Sequence, residues 1–216
     1  MSLGLFFVAL AMSASFVPAL HAAVIVQYSS EHAPEDGSLP TPAAFSTGNT
    51  TASPLTASGD DLQRRDGSLA YSGWESRFTL DRYVGFTVSA DPGLSLVLTH
   101  LSFKSVADGN IGLRSPAQGI TQFTLAYREN WGAGFGAWIF METYDSVPQS
   151  EMVWDFEDIY TTGIIEFALF ATAESPGANL AIDTLDVHGS VPVPEPSVAI
   201  LAGLSSAVAL RRRRRN

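Results

Sequence analysis

Short alternations of apolar and polar residues dominate the middle of the chain. They run over residues 83–89, 122–128 and 153–159; in the last of them Trp154 and Phe156 alternate with Asp155 and Glu157. A period of two is typical of a strand that buries one face. Turn-forming sequences such as residues 91–93, Asp-Pro-Gly, separate the segments. No stretch of about 11 to 18 residues in this part has the apolar spacing of an amphipathic helix.

Two longer segments change phase partway along. In residues 94–103 the apolar positions shift parity after Leu98, and one extra residue near Thr99 would explain the shift as a β-bulge. Residues 179–188 shift in the same way after Ile182. We therefore expect an all-β domain over residues 23–190, folded as an antiparallel β-sandwich. Residues 23–68 are rich in small and turn-forming residues and predict loops and weak strands, whereas residues 69–190 predict regular strands.

Residues 1–22 have the order of a secretory signal peptide. An almost wholly apolar stretch ends at Pro18, and the small residues around Ala22 follow it. This order predicts export and cleavage by signal peptidase after Ala22, with Ala23 as the next choice. The alternative is an uncleaved membrane anchor, which the proline and the alanine-rich end disfavour.

Residues 191–216 have three successive parts. Alternating prolines form a linker that cannot join a sheet, residues 198–210 are apolar, and an arginine cluster follows. As a helix the 13 apolar residues would span about 20 Å, short of the ~30 Å hydrocarbon core. The cluster is a stop-transfer signal, so the tail predicts transient anchoring in the inner membrane. Its members are Arg211, Arg212, Arg213, Arg214 and Arg215.

Taken together, these parts resemble the PEP-CTERM sorting signal, with Pro194, Glu195 and Pro196 as its signature tripeptide. The resemblance implies processing by an exosortase, a membrane transpeptidase-like enzyme, in bacteria that make exopolysaccharide. It places the mature protein at the cell surface or in the extracellular matrix. The alternative is an ordinary tail anchor preceded by a proline-rich linker. Domains that carry this signal are diverse, so the resemblance does not specify an activity.

The composition excludes several classes of function. Between the two terminal segments lie 7 basic and 21 acidic residues, which gives a net charge near −14 and disfavours nucleic-acid binding. The chain contains no cysteine, so disulfides, thiolate metal sites and cysteine nucleophiles are excluded.

No catalytic residue is predicted. Asp155, Glu157 and Asp158 could supply a glycosidase with an acid and a base, but a solvated strand face explains them more simply. The three histidines of the domain have no metal-ligand spacing and are interpreted as surface or strand-edge residues: His32, His100 and His188.

Calcium is the one cofactor that the sequence leaves open. It prefers oxygen ligands supplied by loops, and several carboxylates stand in or near predicted turns, although no calcium-binding loop motif is present. The candidate ligands are Asp60, Asp61, Asp108 and Asp183, with Asn110 beside them.

Among the four tryptophans of the domain, Trp131 is the candidate for stacking on a sugar, because it lies in a glycine-rich segment. Trp138 and Trp154 sit in alternating segments and are predicted to lie in the core. The domain resembles the jelly-roll domains found with such tails and, more distantly, jelly-roll carbohydrate-binding modules, through its strand order and the aspartates of its final strand, Asp183 and Asp186.

The function predicted first is a non-catalytic structural or adhesive component of the extracellular matrix. The alternative is a carbohydrate-binding module that holds exopolysaccharide, and a glycan hydrolase or lyase comes third.

Overall fold

A computed structural model describes residues 22–32, 42–59, 63–64, 69–105, 119–145, 151–175 and 178–192. These residues form strands and one short 3-10 helix, Ser30–His32. The strands are β1 (Ala23–Ser29), β2 (Phe45–Ser46), β3 (Thr50–Ala52), β4 (Thr56–Ser58), β5 (Gln63–Arg64), β6 (Leu69–Ser72), β7 (Tyr83–Ala90), β8 (Leu96–Ser105), β9 (Ile120–Asn130), β10 (Ile139–Tyr144), β11 (Met152–Thr161), β12 (Ile164–Ala173) and β13 (Asn179–Ser190).

The strands assemble into two antiparallel sheets that face each other, which confirms the predicted all-β sandwich. A seven-stranded sheet has the order β11-β8-β13-β1-β2, with β6 also on β13 and β5 on β6. A six-stranded sheet has the order β10-β9-β12-β7-β3, with β4 also on β7. β12 lies between β9 and β7, so its two ends meet loops that are distant in sequence.

Both predicted phase changes are β-bulges. His188 and Gly189 of β13 pair with His100 and Leu98 of β8, so Thr99 is the extra residue. Farther along, Ile182 and Thr184 pair with Ser105 and Lys104, which leaves Asp183 as the extra residue of β13. Each bulge returns the apolar side chains to the inner face after the phase change.

Aromatic side chains fill the space between the sheets. Phe167 of β12 stacks on Phe86 of β7, with ring centroids 5.3 Å apart, and on Phe156 of the opposite sheet at 5.7 Å. Near the other end, Phe123 of β9 contacts Phe103 and Trp154 of the seven-stranded sheet at 5.0 and 5.4 Å. The buried rings join both sheets into one hydrophobic core.

Several predictions fall on residues outside the described part of the chain. They are the signal peptide, the sorting tripeptide, the apolar run and arginine cluster of the tail, and the calcium candidates Asp60, Asp61 and Asp108 with Asn110. Within the described ranges, no helix has the length and apolar character needed to cross a membrane.

Candidate functional site

Trp131 is the most exposed large hydrophobic residue of the described chain, with 78% of its surface accessible. The other three tryptophans are shielded to different degrees. Trp74 and Trp154 are buried, as predicted for Trp154, whereas Trp138 lies half-buried on the outer face of the six-stranded sheet. The exposure of Trp131 agrees with the prediction, and its role in binding stays a prediction.

A hairpin loop between β9 and β10 presents Trp131. The Asn130 side-chain oxygen accepts hydrogen bonds from the backbone N–H of Gly132 at 2.8 Å and of Gly134 at 3.2 Å. Both glycines have φ near +103°, a conformation that other residues rarely adopt. The glycine-rich segment is the closing loop of this hairpin. The two hydrogen bonds to the Asn130 side chain stabilise this conformation of the loop.

The base of Trp131 rests on the loop between β11 and β12. A Cβ atom at Gly163 would lie 2.3 Å from the Asn130 carbonyl oxygen and 2.9 Å from Trp131 Cδ1, so only glycine allows this approach. The Gly163 N–H donates to the Thr161 hydroxyl at 3.0 Å, which fixes the loop from the other side. Trp131 therefore stands on a supported base while most of its ring faces solvent.

A cleft of about 410 Å³ opens beside Trp131 at this end of the six-stranded sheet. We call it the Trp131 cleft. Three connections between strands contribute to its wall, with Asp91, Pro92, Asn130, Trp131, Thr162 and Ile164 among the lining residues. Its volume lies within the ~300–1,000 Å³ range of small-ligand clefts.

Hydrogen-bonding groups of the Trp131 cleft are available to a ligand. Within the described ranges, no partner binds the Asp91 carboxylate, the Asn130 amide nitrogen or the Thr162 hydroxyl. An exposed indole beside open carboxylate, amide and hydroxyl groups offers apolar contact and hydrogen bonds at once. This combination suits a ligand that has an apolar face and polar edges.

Trp138 was wrongly predicted to be a core residue. Its ring packs edge-on against Phe170 at 5.6 Å and Tyr83 at 5.4 Å, outside the sheet. The Arg128 guanidinium lies 4.1 Å from the Trp138 ring centroid, and its Nε donates to the Glu166 carboxylate at 2.6 Å. Ala168 and Phe170 give the outer face of β12 an apolar part beside Glu166, and that was the sequence signal for a second cluster outside the sheet.

Two of the three histidines form a stacked pair. His100 and His188 are opposite each other on β8 and β13, with ring centroids 4.0 Å apart and 16° between the planes. Both lie on the outer face of the seven-stranded sheet, which agrees with the predicted surface position, although β8 and β13 are interior strands of that sheet. Burial, followed by the charge of His100, lowers the pKa of His188, while Asp186 and Glu151 oppose the shift. The third histidine, His32, is exposed.

The remaining candidate ligands and catalytic groups that the structure describes do not converge. Asp155, Glu157 and Asp158 are exposed on the seven-stranded sheet, the opposite sheet from the Trp131 cleft. Asp183 pairs with Lys104 at 3.1 Å and accepts a hydrogen bond from Ser30 at 3.2 Å. In the part of the chain that the structure describes, no three His, Asp or Glu side chains are grouped as metal ligands.

Comparisons with known proteins identify distant structural likenesses. No family model and no curated protein matches the chain. Three solved structures illustrate the likeness. The module CpGH89CBM32-5 from Clostridium perfringens, in complex with GalNAc-β-1,3-galactose, is 15% identical, with a TM-score of 0.35 over 65% of this chain and 95% of the module.

The other two structures have similar sequence identities and TM-scores. The C-terminal domain of a chitobiase from Bacteroides fragilis is 11% identical, with a TM-score of 0.36 over 69% of this chain and 99% of that domain. The module CBM32-3 from a family 31 glycoside hydrolase of Clostridium perfringens is 13% identical, with a TM-score of 0.36 over 66% and 92%. At TM-scores below 0.5, these likenesses place no constraint on what this chain binds.

Proposed function

We propose that the domain is a non-catalytic binding module for a neutral glycan, and that the Trp131 cleft holds the sugar. The observation that supports this is the exposed Trp131 ring on a loop stabilised by the Asn130 side chain, beside hydrogen-bonding groups with no partner among the described residues. An indole stacks on the C–H face of a pyranose and leaves the hydroxyls at its edge for Asp91, Asn130 and Thr162. The jelly-roll resemblance is compatible with this function and stays a prediction.

The charge of the chain favours a neutral ligand. The full sequence has a net charge of −10, and Asp91 adds a carboxylate to the cleft itself. An anionic polysaccharide would be repelled unless a cation lay between the two.

Among the described residues, the cleft has one of the two carboxyl groups that glycoside hydrolysis requires. That reaction uses a pair of carboxyl groups about 5 to 10 Å apart, one on each side of the scissile bond. Among the described residues that line the cleft, Asp91 is the sole carboxylate. Binding without catalysis is therefore the function we propose, and retention of exopolysaccharide is its simplest use in an extracellular matrix. A purely structural role, the first prediction from the sequence, needs no ligand and leaves the exposed Trp131 unexplained.

Replacing Trp131 with alanine should weaken glycan binding by about tenfold or more, because it removes the stacking surface. The full chain is run in affinity gels that contain hydroxyethylcellulose, xylan or galactomannan, and a glycan array then defines the preferred sugar. Because Trp131 is exposed, the melting temperature of the variant should change little.

Tyr160→Ala is the matched control. Tyr160 is 70% exposed on the outer face of β11 and lies outside the cleft, so its loss should leave retention unchanged. Equal loss of retention in both variants, or a large fall in the stability of Trp131→Ala, would exclude Trp131 as the binding platform.

We also propose that the protein is exported by residues 1–22 and sorted by residues 191–216. Pro194-Glu195-Pro196, the apolar run and the arginine cluster support this proposal, because they occur together and in order. Mass spectrometry of surface protein from the native host should then find a mature form that begins near Ala23 and lacks Arg211–Arg215. Surface-exposed protein that retains those five arginines would contradict the sorting step.

A further inference from the structure

The outer face of the six-stranded sheet carries a second open groove, away from the Trp131 cleft. It has a volume of about 420 Å³, and Phe78, Phe140 and Phe170 form its apolar part. Phe78 comes from the connection between β6 and β7, Phe140 from β10 and Phe170 from β12. We call it the Phe140 groove.

The three rings of the Phe140 groove are packed together but unequally covered. Phe78 and Phe140 each contact Phe170, with ring centroids 5.3 and 5.6 Å apart, and Phe170 is fully buried beneath them. Phe78 and Phe140 keep 46% and 44% of their own surfaces in solvent. One face of Phe78 and of Phe140 therefore covers Phe170, and the rest of each ring is open to a ligand.

Polar side chains complete the groove. Gln122 and Thr143 are exposed there, and within the described ranges neither side chain has a hydrogen-bond partner. The hydroxyl of Thr172, which also lines the groove, is hydrogen-bonded to the Thr121 hydroxyl at 2.9 Å. No charged side chain is among the described residues that line it. An uncharged groove with open aromatic faces, an amide and a hydroxyl matches the apolar face and hydroxyl edge of a neutral sugar.

The groove and the cleft lie at opposite ends of one strand. Ile164 lines the Trp131 cleft and Thr172 lines the Phe140 groove, and both belong to β12. Eight residues of extended strand separate them by about 26 Å at ~3.3 Å per residue. The two places share no lining residue among those described.

We propose that the Phe140 groove is a second binding site for neutral glycan, so that one molecule holds two polysaccharide segments. This inference extends the proposed function of the Trp131 cleft and rests on it for the class of ligand. Two weak sites on one domain raise retention on a polymer that presents many copies of the sugar. When the two segments belong to different chains, the protein cross-links the polysaccharide.

Titration calorimetry of the full chain tests this inference. The probe is a hexasaccharide made from whichever neutral polysaccharide of the gel panel retards the protein most. The wild type should bind two hexasaccharides. Phe140→Ala and Trp131→Ala should each bind one, and the double variant should show no binding. Gln122→Ala is a second groove variant, because its side chain is exposed and has no described partner; it should weaken one of the two sites.

The outcomes separate the two proposals. The second site would be overturned, and the first kept, if the wild type bound one hexasaccharide, Trp131→Ala bound none and Phe140→Ala still bound one. The reverse pattern would overturn the Trp131 cleft, and the groove would stand alone as the binding site. A wild-type dimer in size-exclusion chromatography that Phe140→Ala makes monomeric would show that the groove pairs with a second copy, and would also overturn the inference. Tyr160→Ala should behave as wild type throughout.

Discussion

Replacing Phe167 with alanine is expected to lower the free energy of unfolding by about 3–5 kcal/mol. Phe167 is fully buried, and it stacks on Phe86 in its own sheet and on Phe156 across the core. Alanine would leave a cavity where the two sheets meet, and strands on both sides would have to collapse to fill it. Total stabilities of domains are about 5–15 kcal/mol, so the change removes a large part of the stability. Urea unfolding of the full chain, followed by circular dichroism, measures the difference.

Phe45→Ala serves as the control for the loss of a phenyl ring. Phe45 lies in the two-residue strand β2 at the edge of the seven-stranded sheet, and its side chain is exposed. Its removal should cost about 1 kcal/mol or less, since surface substitutions have small effects. Similar losses for the two variants would contradict the placement of Phe167 at the centre of the sandwich.

Replacing Gly189 with alanine should destabilise the fold by about 1–3 kcal/mol, the usual cost of overpacking. Gly189 follows His188 at the bulge between β13 and β8, where the strands come close together. A Cβ atom there would lie 2.1 Å from the Val97 carbonyl oxygen and 3.1 Å from its carbon. Both are backbone atoms of the neighbouring strand, so the clash cannot be relieved by turning a side chain. Thermal unfolding should show a clear decrease in melting temperature.

The matched control is Gly48→Ala. A Cβ atom at Gly48 would have no other atom within 4 Å, and the φ of Gly48 is outside the left-handed region. Alanine there should be neutral or stabilise by up to about 1 kcal/mol, because it restricts the unfolded chain. The two substitutions are chemically identical and are predicted to act in opposite directions. A stable Gly189→Ala variant would contradict the register of β13 on β8.

The strands and their bulges could be predicted because the period of the sequence is local information. The extra residue at Thr99 is visible as a change in apolar parity between Leu98 and Leu101, and the structure has the bulge at that residue. The spacing of Ile165, Phe167 and Leu169 carries the same information for the inner face of β12, where all three side chains are buried. Side chains that point into the core of a sandwich must be apolar, so the pattern carries the fold class.

The site could be predicted only in part, because it depends on pairings between distant segments. Trp131 stood out through its glycine neighbours, and it is exposed. Asp91 and Thr162 come from two other loops, which reach Trp131 because β12 lies between β7 and β9. Trp138 was misassigned for a similar reason. Alternation shows which residues share a face of a strand, but not that Phe170 and Tyr83 form a second apolar cluster on the outer face.

Two-dimensional 15N NMR of the indole N–H groups tests the proposed glycan site most directly. The four tryptophans give separate signals, and Trp131→Phe identifies the signal of Trp131. When the hexasaccharide is added to the full chain, the Trp131 signal should shift progressively, while those of the buried Trp74 and Trp154 stay in place. Binding that is seen by calorimetry without movement of the Trp131 signal would contradict the account, since the sugar would then be held somewhere other than the Trp131 cleft.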